Sequence, residues 1–212
     1  MLKKSLFFIS VFFIFAVSAS AADVADKVQA KYETISSLEA EVEQIQTTAA
    51  TGQEEERTGR IYYKEPELVR WVTESPEKEV LIVGPEVVWD YFPGESTVYK
   101  YPVQEILSSK TMIRFISGKA NLKEDFKIER QGREDGLLKL KLIPEEPELN
   151  LVMAYIWVND KDWLVKRALV VDYWGNGNEL RLSGIEINHD LDDELFEFSP
   201  PKDVLIQDNT KQ

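Results

Sequence analysis

A single histidine and the absence of cysteine limit the chemistry open to this chain. The histidine is His189, in the triplet Asn188-His189-Asp190 after a strand-like run. With no second histidine and no cysteine, His-based metal triads and Cys-His nucleophile pairs are excluded. A Ser-His-Asp site would need His189, yet no serine lies in a G-x-S-x-G elbow. We therefore interpret His189 as a loop residue paired with Asp190.

The carboxylates that follow the histidine are the remaining candidates for metal binding. Those between Asp190 and Glu194 could reach a calcium ion, but the spacing and the glycine of an EF-hand are absent. Gly175 and Gly177 belong to a hairpin signal, so no glycine-rich phosphate loop occurs either. The sequence predicts a protein that is not an enzyme and has no metal and no cofactor. A secreted hydrolase with a serine near His189 is a distant alternative.

Apolar and aromatic residues are the better candidates for a site. Gly59 to Pro93 contains four short strand-like runs separated by Glu-Pro-Glu, Ser-Pro-Glu and Gly-Pro-Glu. Such proline- and glycine-containing triplets are typical of the turns between antiparallel strands. An aromatic sheet of this kind either packs as an ordinary core or lines a cavity. The candidates for a cavity lining are Trp71, Trp89, Tyr91, Tyr99, Tyr155 and Trp157.

The elements that must position these residues follow from hydrophobic periodicity. Asp23 to Ile35 has apolar residues at helical spacing, and Leu38 to Gln46 alternates as a strand with a wet outer side. Further alternating runs bring the total to about ten or eleven strands. After Pro102 the pattern changes to helical spacing and ends near Gly118, which predicts an amphipathic helical insert. Its apolar residues, candidates for a lid over the cavity, are Ile106, Leu107, Ile113 and Ile116.

The amino terminus has the features of a cleaved secretory signal. A basic start is followed by an apolar run of 12 residues and by small residues before Ala22. The run is shorter than the roughly 20 residues that span a bilayer. We expect residues 1–21 to be a signal peptide and residues 22–212 to form one soluble, exported domain.

The charge of the chain constrains its partners. The net charge is −13, which disfavours both binding of nucleic acid through phosphate neutralisation and tight adsorption to anionic lipid, so we expect no nucleic-acid partner. We expect the acidic runs Glu54-Glu55-Glu56 and Glu145-Glu146 with Glu148 to lie in solvated loops. The alternative is a docking surface for a basic partner.

Several short motifs occur in a defined order between about Asp23 and Ile206. They are Val42-x-Gln44, Gly59…Pro66…Arg70-Trp71, Val87-Val88-Trp89-x-Tyr91…Pro93, Leu142-x-Pro144, Asp172…Gly175 and Phe196-x-Phe198-x-Pro200-Pro201-x-Asp203-Val204. Each motif is short, but in their order and spacing together they resemble the LolA family of periplasmic lipoprotein carriers.

The resemblance implies a mainly β fold with a helical lid. The expected architecture is an incomplete, half-open antiparallel β-barrel of about 11 strands that encloses an apolar cavity. The expected function is that of a monomeric periplasmic chaperone for acylated lipoproteins. It would take them from an inner-membrane ABC exporter and deliver them to an outer-membrane receptor.

One position departs from the family pattern. The family has an arginine just before Pro66 that holds the lid shut, whereas this chain has Glu65. Glu65 and Arg70 are therefore the candidates for a different latch. Two other functions stay open on the same resemblance. One is a carrier of free lipid or glycolipid, and the other is a periplasmic sensor of lipoproteins.

Overall fold

The computed structural model describes residues 20–103, 121–146 and 148–210. Its helices are α1 (Ala21–Tyr32) and the single turn α2 (Leu122–Asp125), with short 3-10 turns at Pro93–Glu95 and Asp193–Phe196. The strands are β1 (Ser37–Thr48), β2 (Gln53–Lys64), β3 (Leu68–Ser75), β4 (Glu79–Val83), β5 (Val87–Phe92), β6 (Thr97–Pro102), β7 (Phe126–Glu134), β8 (Leu137–Pro144), β9 (Met153–Val158), β10 (Val165–Val171), β11 (Gly177–Ile187) and β12 (Leu205–Asp208).

Helix α1 begins with a capping box. The Ser20 hydroxyl accepts a hydrogen bond from the Asp23 amide at 3.1 Å, and the Asp23 carboxylate accepts one from the Ser20 amide at 3.0 Å. Hydrogen bonding of the Asp23 carboxylate to the Ser20 backbone, and secondly to the Ser20 side chain, lowers the pKa of Asp23. The helix therefore starts two residues before the predicted Asp23, and it ends at Tyr32 rather than Ile35.

All the strands named above form one open sheet, which confirms the predicted fold class. The order is β12-β6-β5-β4-β3-β2-β1-β11-β10-β9-β8-β7, and its edges are β12 and β7. Ten of the pairings are antiparallel, and only β12 with β6 is parallel. Sequence analysis missed β12, because four exposed residues give no alternation of buried and exposed positions.

One prediction about the acidic runs is wrong. Glu54-Glu55-Glu56 lies in β2 and not in a loop, since β2 begins at Gln53. The three glutamates pair with Ile45, Gln46 and Thr47 of β1, in a part of the hairpin where β2 is exposed on both faces. Backbone pairing with β1 accepts charged side chains there, because no core covers them.

The face of the sheet that α1 covers is termed the inner face. Alternate residues of both halves of the sheet join α1 there in one core, as strand geometry requires. The fully buried members of this core include Val24 of α1 and Leu38, Ile61, Val69, Val83, Val88, Leu140, Leu142, Ile156 and Leu180 of the sheet.

The opposite, outer face of β2 to β6 is covered by the segment after β11. The Lys64 ammonium donates hydrogen bonds to the Leu191 carbonyl and to the Asp193 carboxylate. Hydrogen bonding to Asp193 is the main reason that the pKa of Lys64 is raised. One turn further on, the Arg70 guanidinium donates to the Leu195 carbonyl at 3.1 Å. Residues 191–198 are thus fastened across the outer face.

Candidate functional site

Four aromatic residues of β3, β5 and β6 form the candidate site on the inner face. The register pairs Trp71 with Leu81, Leu81 with Asp90 and Asp90 with Tyr99, which puts Trp71 and Tyr99 on one face. Tyr99 stacks on Tyr101 with ring centroids 6.3 Å apart, and Phe92 meets Tyr99 edge-on at 5.8 Å. All four rings are only partly buried. This set of Trp71, Phe92, Tyr99 and Tyr101 is termed the aromatic row.

Helix α1 is fastened to the other half of the sheet. Its Tyr32 hydroxyl accepts a hydrogen bond from the Val165 amide of β10 at 3.3 Å. Lys27 lies 4.4 Å from the ring centroid of Trp163, in the turn between β9 and β10. Near its middle, α1 is tied to α2 by an ion pair between Asp26 and Lys123. The aromatic row lies across β3 to β6, away from these attachments, and its rings stay accessible.

The structure does not bring the remaining aromatic candidates to the inner face. Trp89 and Tyr91 alternate with the inner-face residue Val88, so they project outward. There both rings contact Phe198, at centroid distances of 5.6 and 5.7 Å. The prediction that they line the enclosed side is corrected, because the alternation in β5 places both rings on the face that holds the chain end.

Tyr155 and Trp157 are also placed on the outer face. They alternate with Ala154, Ile156 and Val158, which belong to the inner-face core. The Trp157 ring is fully buried under a basic side chain, with the Arg167 guanidinium 4.0 Å from its centroid. That guanidinium bonds in turn to Glu179 at 2.6 Å. This packing makes Trp157 part of a structural network and not of the aromatic row.

Sequence analysis missed two members of the aromatic row, Phe92 and Tyr101. The available signal was the alternation within each strand, because Tyr99 and Tyr101 are two residues apart and must share a face. The four lid candidates Ile106, Leu107, Ile113 and Ile116 lie outside the described residues.

The two latch candidates lie apart. Arg70 is on the outer face, where the Leu195 carbonyl accepts its hydrogen bond. Glu65 is exposed in the turn after β2, and its backbone amide donates to the Ser36 carbonyl at 2.8 Å. Burial, and secondly the charge of Glu65, raises the pKa of Tyr63, a buried residue of the inner face.

His189 has structural partners. Its Nε2 lies 3.6 Å from the Glu39 carboxylate. The structure therefore pairs His189 with Glu39, whereas the sequence analysis had predicted Asp190 as the partner. The nearby Ser37 hydroxyl donates to the backbone carbonyl of His189 and not to the imidazole, so the two do not form a nucleophile-base pair. Within residues 20–103, 121–146 and 148–210, no group of three metal-ligating side chains is found.

Comparisons with protein families and with known proteins find similarity to lipoprotein carriers. The family model described as "Outer membrane lipoprotein carrier protein LolA" matches residues 33–199. An outer-membrane lipoprotein carrier protein of Methylococcus capsulatus is 25% identical over 170 residues, covering 80% of each chain. One of Serratia proteamaculans is 23% identical over 194 residues, covering 92% of each chain.

A solved structure supports the fold. An uncharacterized conserved protein from Thermus thermophilus superposes with a TM-score of 0.57 at 14% identity, over 89% of this chain and 98% of that one. None of the helices in the described part of the chain has the length and apolarity to span a membrane.

The described part of the chain is an open, mainly antiparallel sheet with helix α1 packed on its apolar inner face. The family match covers most of the chain. The chain belongs to the LolA family of outer-membrane lipoprotein carrier proteins.

Proposed function

We propose that the chain is a periplasmic carrier that binds the acyl chains of lipoproteins against its inner face. The observation that carries this proposal is the aromatic row, which is apolar, partly exposed and continuous with the inner-face core. A row of this kind offers flat, rigid apolar surface, and the one charged residue that the register places within it is Asp90, between Trp71 and Tyr99. The relatives are named as outer-membrane lipoprotein carrier proteins, which favours lipoproteins over other apolar cargo.

The cover over the row is also part of the proposal. Apolar residues of the insert after Pro102, among them Leu107 and Ile113, would cover the aromatic row. They are proposed from their helical spacing in the sequence alone. Glu65 stays a candidate for holding that cover, whereas the hydrogen bond from Arg70 to Leu195 occupies Arg70 elsewhere.

Release of cargo then follows from competition. Burial of an acyl chain yields about 0.8 kcal/mol per CH₂ group, so full burial of several chains would hold them too tightly to be passed on. Apolar side chains that fill the space when it is empty must be displaced by cargo, and the affinity is the difference between the two states. Such a carrier passes lipoproteins from an inner-membrane ABC exporter to the outer membrane without using ATP itself.

The test is identification of the natural cargo. The full chain is recovered from the periplasm and its co-purifying molecules are determined by mass spectrometry. Triacylated lipoproteins at close to stoichiometric amount are the expected result. Phospholipid or glycolipid alone would instead make the chain a carrier of free lipid, and an empty protein in exporting cells would count against both.

A further inference from the structure

Three large apolar side chains are exposed together at one end of the sheet. Tyr173 and Trp174 form the turn between β10 and β11 and are 69% and 63% exposed. Leu149, in the loop between β8 and β9, is 63% exposed. The Tyr173 amide donates a hydrogen bond to the Leu149 carbonyl at 2.9 Å, which joins the two loops. Leu149, Tyr173 and Trp174 are termed the aromatic tip.

The aromatic tip is held rigidly. The Asp172 carboxylate accepts hydrogen bonds from the Trp174 amide at 2.9 Å and from the Asn176 amide at 2.8 Å. The Asn176 side chain accepts another from the Ala49 amide at 3.0 Å, so the β10–β11 turn is also fixed to the β1–β2 turn. A preorganised aromatic pair loses little entropy on binding, which is what a docking surface requires. Folding gains nothing from exposing these rings.

Acidic residues flank the aromatic tip on both sides. Thr47 of β1 pairs with Gly177 on one side and with Glu54 on the other. The exposed run Glu54-Glu55-Glu56 thus begins two strand spacings, roughly 10 Å, from the base of the β10–β11 turn. In the loop of Leu149, residues Glu145, Glu146 and Glu148 are exposed as well.

We propose that the aromatic tip and its acidic flanks are a docking surface for a protein partner that presents apolar side chains within a basic surface. The exposed rings supply the apolar contact, and the carboxylates select the opposite charge. A second copy of this chain would bring like charges together, and an anionic membrane would be repelled. The surface lies on loops of β8 to β11 and is separate from the aromatic row on β3 to β6, so the inference goes beyond the proposed function.

The test is site-specific photo-crosslinking in native cells. A photoreactive phenylalanine analogue replaces Trp174 in the full chain, and the same analogue replaces Leu205, which is 60% exposed on the edge strand β12, as a matched control. The expected result is a discrete protein adduct from position 174 alone. Its crosslinked peptide, located by mass spectrometry, should contain several lysines or arginines.

Charge dependence completes the test. Combining the crosslinker with Glu54→Gln, Glu55→Gln and Glu56→Gln should lower the adduct yield by about fivefold or more, and raised salt should do the same. Cargo content should stay unchanged in every variant, which separates this inference from the carrier function. The inference is overturned by a lipid adduct, by an adduct of the chain with itself, by a yield insensitive to charge, or by no adduct above the Leu205 control.

Discussion

Trp71 and Trp89 project from opposite faces of the same sheet. Trp71 packs partly buried against the inner-face core, whereas Trp89 contacts Phe198 of the chain end at 5.6 Å. The aromatic hairpins therefore serve two purposes. One face is engaged in holding residues 191–198, and the other carries the partly buried rings of the aromatic row, where we propose that cargo binds.

Replacing each tryptophan separately should distinguish the two faces. We expect Trp71→Gln to weaken binding of a triacylated lipopeptide by about tenfold, equivalent to about 1.4 kcal/mol, because apolar contact is lost. Trp89→Gln should leave that affinity unchanged and lower the free energy of unfolding by about 1–3 kcal/mol, because the contact with Phe198 is lost. Lipopeptide titration and urea denaturation of both variants measure these effects. Equal loss of affinity in both would contradict the assignment of faces.

The sequence predicted the fold class and the presence of the first eleven strands, because most of them alternate or are bounded by proline and glycine, but it began β2 at Gly59 instead of Gln53. It could not sort the aromatic residues by function. Trp71 and Trp89 are indistinguishable as residue types, and their faces depend on the register of two hairpins, β3–β4 and β4–β5. Neighbouring strand residues point to opposite faces, so Trp89 could have been assigned to the outer face from Val88. That assignment requires knowing that Val88 is buried in the core, which the sequence does not show.

Gly59 permits a close approach of β2 and β3 at a shift in their register. A β-carbon added there would lie 1.9 Å from the Val72 carbonyl oxygen, which is backbone and cannot move aside alone. We expect Gly59→Ala to destabilise the protein by about 3 kcal/mol or more. Gly94→Ala is the matched control, since nothing lies within 4 Å of its added carbon. Thermal or urea unfolding that gave both variants equal stability would argue against this approach of the strands.

The attachment of the chain end can be tested through Lys64. Lys64→Met removes the donor to the Leu191 carbonyl, 2.7 Å away, and to Asp193. Residues 191–198 should then open about tenfold more often, while the sheet stays intact. Hydrogen exchange followed by mass spectrometry measures the opening rate of residues 191–198. Lys78→Met, at an exposed position, is the control and should leave that rate unchanged. Unchanged protection of the segment would show that other contacts hold it.

The burial of Tyr32, which fastens α1 to the sheet, predicts that the free energy of unfolding depends on pH in the alkaline range. Burial raises the pKa of the Tyr32 phenol from 10.0 to about 12, opposed by the hydrogen bond from Val165 and aided by Asp162. Between these values the unfolded phenol has lost its proton while the folded one keeps it, so rising pH favours unfolding. The raised pKa of Tyr32 should contribute about 2–3 kcal/mol to the free energy of unfolding below pH 10, and this contribution should be lost as the pH approaches 12.

Tyr32→Phe isolates this contribution, because it keeps the ring and removes the titrating group. Its free energy of unfolding should fall less steeply than that of the parent chain between pH 10 and 12. Urea denaturation across this range provides the measurement. Parallel curves for the two proteins would mean that Tyr32 is not buried in the way described.

The aromatic tip and the partner of Arg70 were also harder to predict than the fold for a physical reason. Exposure of Tyr173 and Trp174 arises from a turn in which Asp172 accepts the hydrogen bonds, and Gly175-Asn176 signals only that a turn exists. Similarly, Arg70 follows the family motif, but its partner Leu195 is 125 residues away in sequence. Contacts of that separation are set by packing and not by local pattern.

The central claim, that cargo lies against the aromatic row, is tested most directly by fluorescence quenching. One variant keeps Trp71 as its only tryptophan and another keeps only Trp89, with phenylalanine at the other positions. Each is mixed with a triacylated lipopeptide whose acyl chains carry bromine, a short-range quencher. The account predicts strong quenching of Trp71 and none of Trp89. Quenching of Trp89 alone, or of neither residue on saturation, would contradict it.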